Sequence, residues 1–175
     1  MAYDRRRVFE GALRTSKEAY GAADQGWPGV RPPKDHFGVV PQEETLKDVI
    51  TRFAKDARLR SAFVADPINR FSGVITRNDL LKWTHLQFGS EMRSISISPK
   101  DICRVASATR AKDLAVGDWR TMGVRLDADL ATALQQFMEH DEIDIPVLDK
   151  DGRVLGDLRL SQTLYYSIDA GRKED

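Results

Sequence analysis

Gly73-Val-Ile-Thr-Arg-Asn-Asp-Leu-Leu81 is the stretch of sequence that best indicates how this chain folds. An apolar segment, Phe71–Ile75, leads into it, and Asp79 follows Thr76 at a spacing of three residues. A threonine and an acidic residue at this spacing form a capping box, in which each side chain bonds the other residue's backbone N–H at the start of a helix. The stretch therefore predicts a strand that turns directly into an amphipathic helix, near Asp79–Trp83.

The elements around this stretch occur a second time further along the chain. Gly156 takes the place of Gly73, so the offset between the copies is 156 − 73 = 83 residues. Apolar residues recur at helical spacing from Leu46 and again from Leu130, and a strand, a turn and a second strand follow each time. The matching strands are Ser61–Ala65 and Phe71–Ile75 in the first copy, and Asp144–Leu148 and Arg153–Leu158 in the second. The sequence thus predicts an α/β (α+β) fold of two β-α-β-β-α repeats.

The rest of the chain is divided around these repeats. Residues 4–20 carry apolar side chains at helical spacing, and residues 21–35 are rich in glycine and proline, which predicts an irregular connection. The predicted segments are an N-terminal helix and connection (1–35), a first domain (36–83), a linker (84–109), a second domain (110–168) and a C-terminal tail (169–175).

Composition narrows the classes of protein to consider. Lys+Arg and Asp+Glu both number 27 in 175 residues, so no net charge attracts the chain to nucleic acid or to an anionic membrane. No apolar run is long enough to span a bilayer, and no apolar stretch follows the basic residues near the N-terminus as in a signal peptide. With a single cysteine, Cys103, the sequence predicts a cytoplasmic protein without disulfides, nucleic-acid partner or membrane contact.

Motifs for catalysis are missing from the sequence. The three histidines are scattered, and no group of His, Cys and acidic residues has metal-ligand spacing. There is no phosphate-binding P-loop, nucleophile elbow or dinucleotide-binding glycine motif. The sequence therefore predicts a protein that is not an enzyme, with no metal site and no required cofactor.

The repeated motifs resemble the cystathionine-β-synthase (CBS) domain. The resemblance rests on Val64-Ala-Asp66 followed by Gly73-x-x-Thr76-x-x-Asp79-Leu-Leu, on Ile145–Gly156 in the second copy, and on Ala111–Leu114 as a short lead-in helix. It implies a tandem pair of domains, a Bateman module, with small mixed sheets packed around a pseudo-twofold axis. It also implies two clefts that bind adenosine compounds such as AMP, ADP, ATP or S-adenosylmethionine, a homodimer, and a role in regulation and energy sensing.

The chemistry of the Gly73–Asp79 stretch allows two interpretations. In one, Thr76 and Asp79 only cap a helix, which contributes about 1 kcal/mol and needs no ligand. In the other, the same carboxylate accepts hydrogen bonds from both hydroxyls of a ribose, and the helix N-terminus attracts a phosphate. Glycine at position 73 would let such a ligand approach the strand backbone closely.

By resemblance, Asp79 holds the ribose, Thr76 contacts ribose or α-phosphate, and backbone near Val39–Val40 and Ala62 faces the adenine. Two arginines near this site are either phosphate contacts or solvated surface residues. The predicted ligand-binding residues are Val39, Val40, Arg60, Ala62, Gly73, Thr76, Arg77 and Asp79.

The second copy departs from this pattern. At the offset of 83, Arg159 replaces Thr76 and Gln162 replaces Asp79, while Gly156 is retained. Glutamine lacks the charged acceptor, and arginine either reaches a phosphate or fills the space itself. The sequence predicts that this second site is vacant or altered in specificity. It leaves open whether the chain is a nucleotide sensor acting on an effector protein or a ligand-free dimerisation or interaction scaffold.

Overall fold

The computed structural model describes residues 38–89 and 97–172. The helix predicted within residues 4–20 lies outside this part of the chain. The described elements are β1 (Val39–Pro41), α1 (Leu46–Lys55), β2 (Ser61–Ala65), β3 (Phe71–Thr76), α2 (Arg77–Phe88), α3 (Pro99–Ala108), α4 (Ala111–Leu114), β4 (Val124–Arg125), α5 (Leu130–His140), β5 (Asp144–Leu148), β6 (Val154–Arg159) and α6 (Leu160–Arg172).

These elements form two matching three-stranded sheets, ordered β1-β2-β3 and β4-β5-β6. In each sheet the first pair of strands is parallel and the second is antiparallel. The registers also match, since Ser61 pairs with Thr76 in one sheet and Asp144 with Arg159 in the other. The predicted fold of two β-α-β-β-α repeats is confirmed.

Side-chain caps set where several helices begin. Thr45 caps α1, and capping boxes formed by Thr76 with Asp79 and by Ser98 with Asp101 open α2 and α3. Helix α2, predicted near residues 79–83, begins at Arg77 and continues to Phe88. Burial of Phe88 extends its apolar face beyond the predicted end at Trp83. The lead-in helix at Ala111–Leu114 is present at the predicted residues.

Alternate residues of β2 and β3 face two different layers. Ala62 and Ile75 are buried in a core with Val49 of α1, on the helix side of the first sheet. Phe63 and Val74 are buried in a second core that contains residues of both repeats. Because successive strand residues point to opposite faces, the second set lies on the surface that meets the other sheet. We call it the inter-sheet face.

The tips of the two hairpins meet through paired backbone hydrogen bonds. Phe71 N–H donates to Gly152 O over 2.9 Å, and Val154 N–H donates to Asn69 O over 3.2 Å. These two bonds exchange places under the offset of 83, which is the relation expected at a pseudo-twofold axis. Among the described helices, none is long and apolar enough to cross a membrane.

Candidate functional site

The capping box predicted at Thr76 and Asp79 is formed. Asp79 Oδ2 accepts from Thr76 N–H at 2.9 Å and from the Thr76 hydroxyl at 2.7 Å. In return, Asp79 N–H donates to Thr76 Oγ1 at 3.3 Å. Asp79 is 9% exposed, so its carboxylate is fixed in place at the start of α2.

The other carboxylate oxygen of Asp79 has a weaker partner. Its Oδ1 atom lies 3.4 Å from Lys82 Nζ, and the lysine side chain is 66% exposed. Exposed ion pairs of this kind contribute little to stability and are easily exchanged for other contacts. Asp79 therefore keeps one oxygen able to accept hydrogen bonds from a ligand while the other caps the helix.

Ser61 joins this site, although the sequence did not single it out. It is paired with Thr76 across β2 and β3, so both side chains lie on the inter-sheet face. Its hydroxyl is buried and has no hydrogen-bond partner among the described residues. A buried hydroxyl without a partner is costly, which is a reason to expect a ligand or water there. The available signal was a small polar residue at the start of a buried strand. We call Ser61, Thr76 and Asp79 the first site.

Gly73 is needed for a close contact within the chain. Its φ is +144°, and a Cβ at this position would lie 2.8 Å from the Cβ of Ala115. The next residues, Val74 and Val116, exchange two backbone hydrogen bonds. The segment after α4 thus approaches β3 where the sequence suggested that a ligand would. Packing of this segment accounts for the glycine without a ligand.

The predicted adenine contacts can be made only by backbone. Val40 and Ala62 are completely buried on the helix side of the first sheet. Val39 is half-buried against the core between the sheets, on the inter-sheet face. Since β1 is an edge strand, one side of its backbone is not used by the sheet. The adenine contacts at these positions stay a prediction, and only backbone atoms of β1 are left to make them.

The two predicted phosphate-binding arginines differ in their contacts. Arg77 Nη2 donates to Leu59 O at 3.1 Å and to Phe53 O at 3.3 Å. Its guanidinium also lies over the Phe53 ring, 5.4 Å from the centroid. Arg77 thus fastens the α1–β2 loop and is not brought into the first site. Arg60 is exposed and directly precedes Ser61, so it is the better placed of the two.

The equivalent site in the second repeat, which we call the second site, contains Asp144, Asp157, Arg159 and Gln162. Arg159 Nε lies 3.7 Å from Asp144 Oδ1 and 3.5 Å from Asp157 Oδ2. At the offset of 83 the first repeat has Ser61 and Val74 in place of the two aspartates. Gly156 lies in β6 without the positive φ of Gly73. The two sites therefore differ in charge as well as in the two contacts that the sequence indicated.

Glu142 links the two sites electrostatically, and the sequence did not predict it. Burial raises its pKa to about 7, and the nearby carboxylates of Asp79, Asp141 and Asp144 act in the same direction, opposed by Lys82. Glu142 directly precedes β5 in the second repeat, yet its carboxyl is coupled to Asp79 of the first. The first site therefore has an acidic neighbour supplied by the other repeat.

Glu142→Gln is expected to flatten the dependence of stability on pH. The folded-state pKa of Glu142 lies above the ordinary glutamate value of 4.5, so the folded protein binds more protons than the unfolded chain between these values. The contribution of Glu142 to the free energy of unfolding is therefore present at low pH and is lost as the pH rises through about 7. Melting temperatures of wild type and Glu142→Gln from pH 4.5 to 8.5 should diverge at the alkaline end, with the variant more stable. Parallel curves would contradict this assignment.

Comparisons with known proteins agree with the geometry. The family model for the CBS domain matches residues 31–85 and 121–166. CBSX2, solved in complex with AMP, is similar at 19% identity and a TM-score of 0.59, covering 82% of this chain and 95% of that one. A CBS-domain protein from Streptococcus pneumoniae TIGR4 gives 16% identity and a TM-score of 0.64, covering 97% and 93%.

A third structure, a CBS-domain-containing protein from Thermotoga maritima, has 24% identity and a TM-score of 0.57, covering 73% of this chain and 82% of that one. At these identities the structures support the fold alone. The curated proteins yielded no significant match. Within residues 38–89 and 97–172, no three His, Cys, Asp or Glu side chains are grouped to hold a metal ion.

Proposed function

The chain belongs to the CBS-domain family and carries two copies of the domain. We propose that it is a non-catalytic regulatory module that binds an adenosine-containing ligand. The ligand is of the AMP, ADP or ATP class and occupies the first site. One observation carries the proposal: a buried, unpartnered Ser61 hydroxyl lies on the same face as Thr76, beside a carboxylate with one oxygen available.

These groups suit a nucleoside with a vicinal diol. The ribose hydroxyls donate to Asp79 Oδ1, and displacement of the exposed Lys82 from this oxygen costs little. Ser61 supplies a further hydroxyl, and the base lies along the backbone edge of β1. The phosphates point toward the N-terminus of α2 and Arg60. The similarity to CBSX2, solved with AMP, supports this class of ligand.

Transmission to a partner would use a homodimer. Large apolar side chains are exposed on the final helix of each repeat, Leu81 and Leu86 on α2 and Tyr165 and Ile168 on α6. Exposed apolar residues on these helices favour association with another protein surface. We infer that two copies of this cytoplasmic chain associate, and that occupancy of the first site changes the dimer geometry read by an effector protein. Such a response would report the energy state of the cell.

Asp79→Ala is expected to weaken nucleotide binding about 10- to 100-fold, since each hydrogen bond to a charged acceptor contributes about 1.5–3 kcal/mol. The measurement is a titration of AMP, ADP and ATP by calorimetry, with thermal shift in parallel. A ligand at 100 times its dissociation constant adds about 2.7 kcal/mol to wild-type stability. That corresponds to a shift of roughly 5–10 °C for a chain of this size.

Asp101→Ala is the matched control for this experiment. Asp101 forms an equivalent capping box with Ser98 at the start of α3, outside the first site. This variant loses a helix cap and is expected to bind nucleotide like wild type. If wild type shows no response to any nucleotide, or if Asp79→Ala responds as well as Asp101→Ala, the proposal is wrong.

The second candidate function is a ligand-free scaffold for dimerisation or protein interaction. The completed capping box favours it, because Thr76 and Asp79 then have a full structural role. On this hypothesis Asp79→Ala loses about 1 kcal/mol of stability and nothing else. Sedimentation with and without ATP separates the two functions, because only the sensor changes its assembly or shape when nucleotide is added.

A further inference from the structure

The second site holds three charged side chains on a face that is neutral in the first repeat. The side chains of Asp144 and Asp157 are 5% and 4% exposed, and that of Arg159 is 18% exposed. Asp144 is the cross-strand partner of Arg159, and Asp157 is the partner of Pro146, so the two aspartates and the arginine share one side of the sheet. The corresponding residues of the first repeat are Ser61, Val74 and Thr76.

Arg159 also reaches across to the other repeat. Its Nη2 atom donates to the backbone carbonyl of Arg58 at 3.1 Å, in the loop between α1 and β2. The guanidinium therefore spans the distance from the inter-sheet face of the second repeat to the loop that leads into Ser61. In the first repeat the equivalent position is occupied by Thr76, whose short hydroxyl turns back onto Asp79.

We propose that Arg159 is an internal occupant of the second site, held by Asp144 and Asp157, and that these three residues exclude a nucleotide from it. The part concerning the nucleotide rests on the proposed function of the first site. Two buried carboxylates against one guanidinium leave the cluster with net negative charge, which repels phosphate groups. Gln162 in turn offers a ribose no charged acceptor.

The energetics of buried ion pairs explain why this arrangement persists without a ligand. Removing the cation from a buried pair is costly because the carboxylates lose their compensating charge. A nucleotide that displaced Arg159 would have to bear that cost and bring its own negative charge. The first site needs no such exchange, because Lys82 is exposed and Ser61 is neutral.

The first test needs no nucleotide. In Arg159→Met two buried carboxylates lose their compensating cation, which destabilises the folded protein most where carboxylates are charged and least at acid pH. The melting temperature of Arg159→Met should fall below that of wild type by about 4–8 °C at pH 8, and by much less at pH 4. Arg125→Met is the control, because Arg125 and Asp127 form an exposed pair. Equal, pH-independent shifts for the two variants would overturn internal occupancy.

The second test measures nucleotide stoichiometry by equilibrium dialysis with radiolabelled ATP. The variant Asp144→Ser/Asp157→Val/Arg159→Thr/Gln162→Asp carries the side chains of the first repeat at all four positions. It is expected to bind two nucleotides per chain where wild type binds one, and to keep one when Asp79→Ala is added. Correct folding is checked by circular dichroism.

The outcomes separate the two proposals. A wild type that binds no ATP contradicts the proposed function, while the pH dependence of Arg159→Met still decides whether the arginine occupies the second site. A folded four-residue variant that stays at one ATP per chain overturns the exclusion of nucleotide by this cluster. If that variant does not fold, Arg159→Met with ATP replaces it: tighter or additional binding supports exclusion, and unchanged binding overturns it.

Discussion

Gly73→Ala is expected to lower the free energy of unfolding by about 3 kcal/mol. Two effects add. A non-glycine residue at positive φ is strained by about 1–3 kcal/mol, and forcing a methyl group into a packed contact costs about 1–3 kcal/mol. Both conditions hold here, because Gly73 has φ of +144° and the new Cβ would lie 2.8 Å from Ala115. Urea unfolding followed by circular dichroism provides the measurement.

Gly156→Ala is the matched control for this substitution. Gly156 occupies the equivalent place in β6, but its φ is outside the positive range. Gly156→Ala is expected to lower the free energy of unfolding by clearly less than Gly73→Ala does. Equal losses in the two variants would show that the segment after α4 does not approach β3 as described. A loss of stability in Gly73→Ala with unchanged nucleotide affinity would also separate the packing role of Gly73 from ligand binding.

Phe63→Ala is expected to destabilise the protein by about 3–5 kcal/mol, the range for truncating a buried aromatic residue. Phe63 is 2% exposed and lies edge-on to Phe71, with 6.1 Å between ring centroids. Its core also contains Ile145 and Val147 of the second repeat. The substitution therefore removes contacts shared by both sheets, and both repeats should lose stability in one cooperative transition.

Met138→Ala controls for the loss of an apolar side chain as such. Met138 is 75% exposed on α5, and a surface substitution of this kind is usually within about 0.5 kcal/mol of wild type. Two resolved transitions in Phe63→Ala, with the second repeat unaffected, would contradict a shared core. Tryptophan fluorescence reports on both repeats, since Trp83 lies in the first and Trp119 packs against Gly152 of the second.

Local patterns predicted most of the fold because each has a local physical cause. The offset between Gly73 and Gly156 predicted two repeats, and the spacing of Thr76 and Asp79 predicted the start of α2 at a cap that the structure contains. The length of α2 was underestimated. Its later apolar residues, such as Phe88, are buried by contacts with residues distant in sequence, and these leave no clear periodicity.

The candidate site was predictable only in part. Asp79 and Thr76 could be identified because their spacing of three residues is typical of a capping box. Arg159 and Gln162 could be identified because they occupy the equivalent positions of the second repeat. Ser61 and Glu142 could not be found in this way. Ser61 matters because of its cross-strand register with Thr76, and Glu142 because the other repeat brings it near Asp79.

Sequence alone is enough to find the repeat, the strand-to-helix turn at Gly73–Asp79 and the loss of the Thr-x-x-Asp pattern in the second copy. These depend on neighbours within a few residues or on comparison of the chain with itself. The surroundings of that turn depend on tertiary contacts. Ala115 approaches Gly73, Arg77 turns away to carbonyls of the α1–β2 loop, and Arg159 crosses to Arg58. These contacts join residues 18 to 101 positions apart, and the packing of elements that are distant in the chain creates them, so no local sequence pattern specifies them.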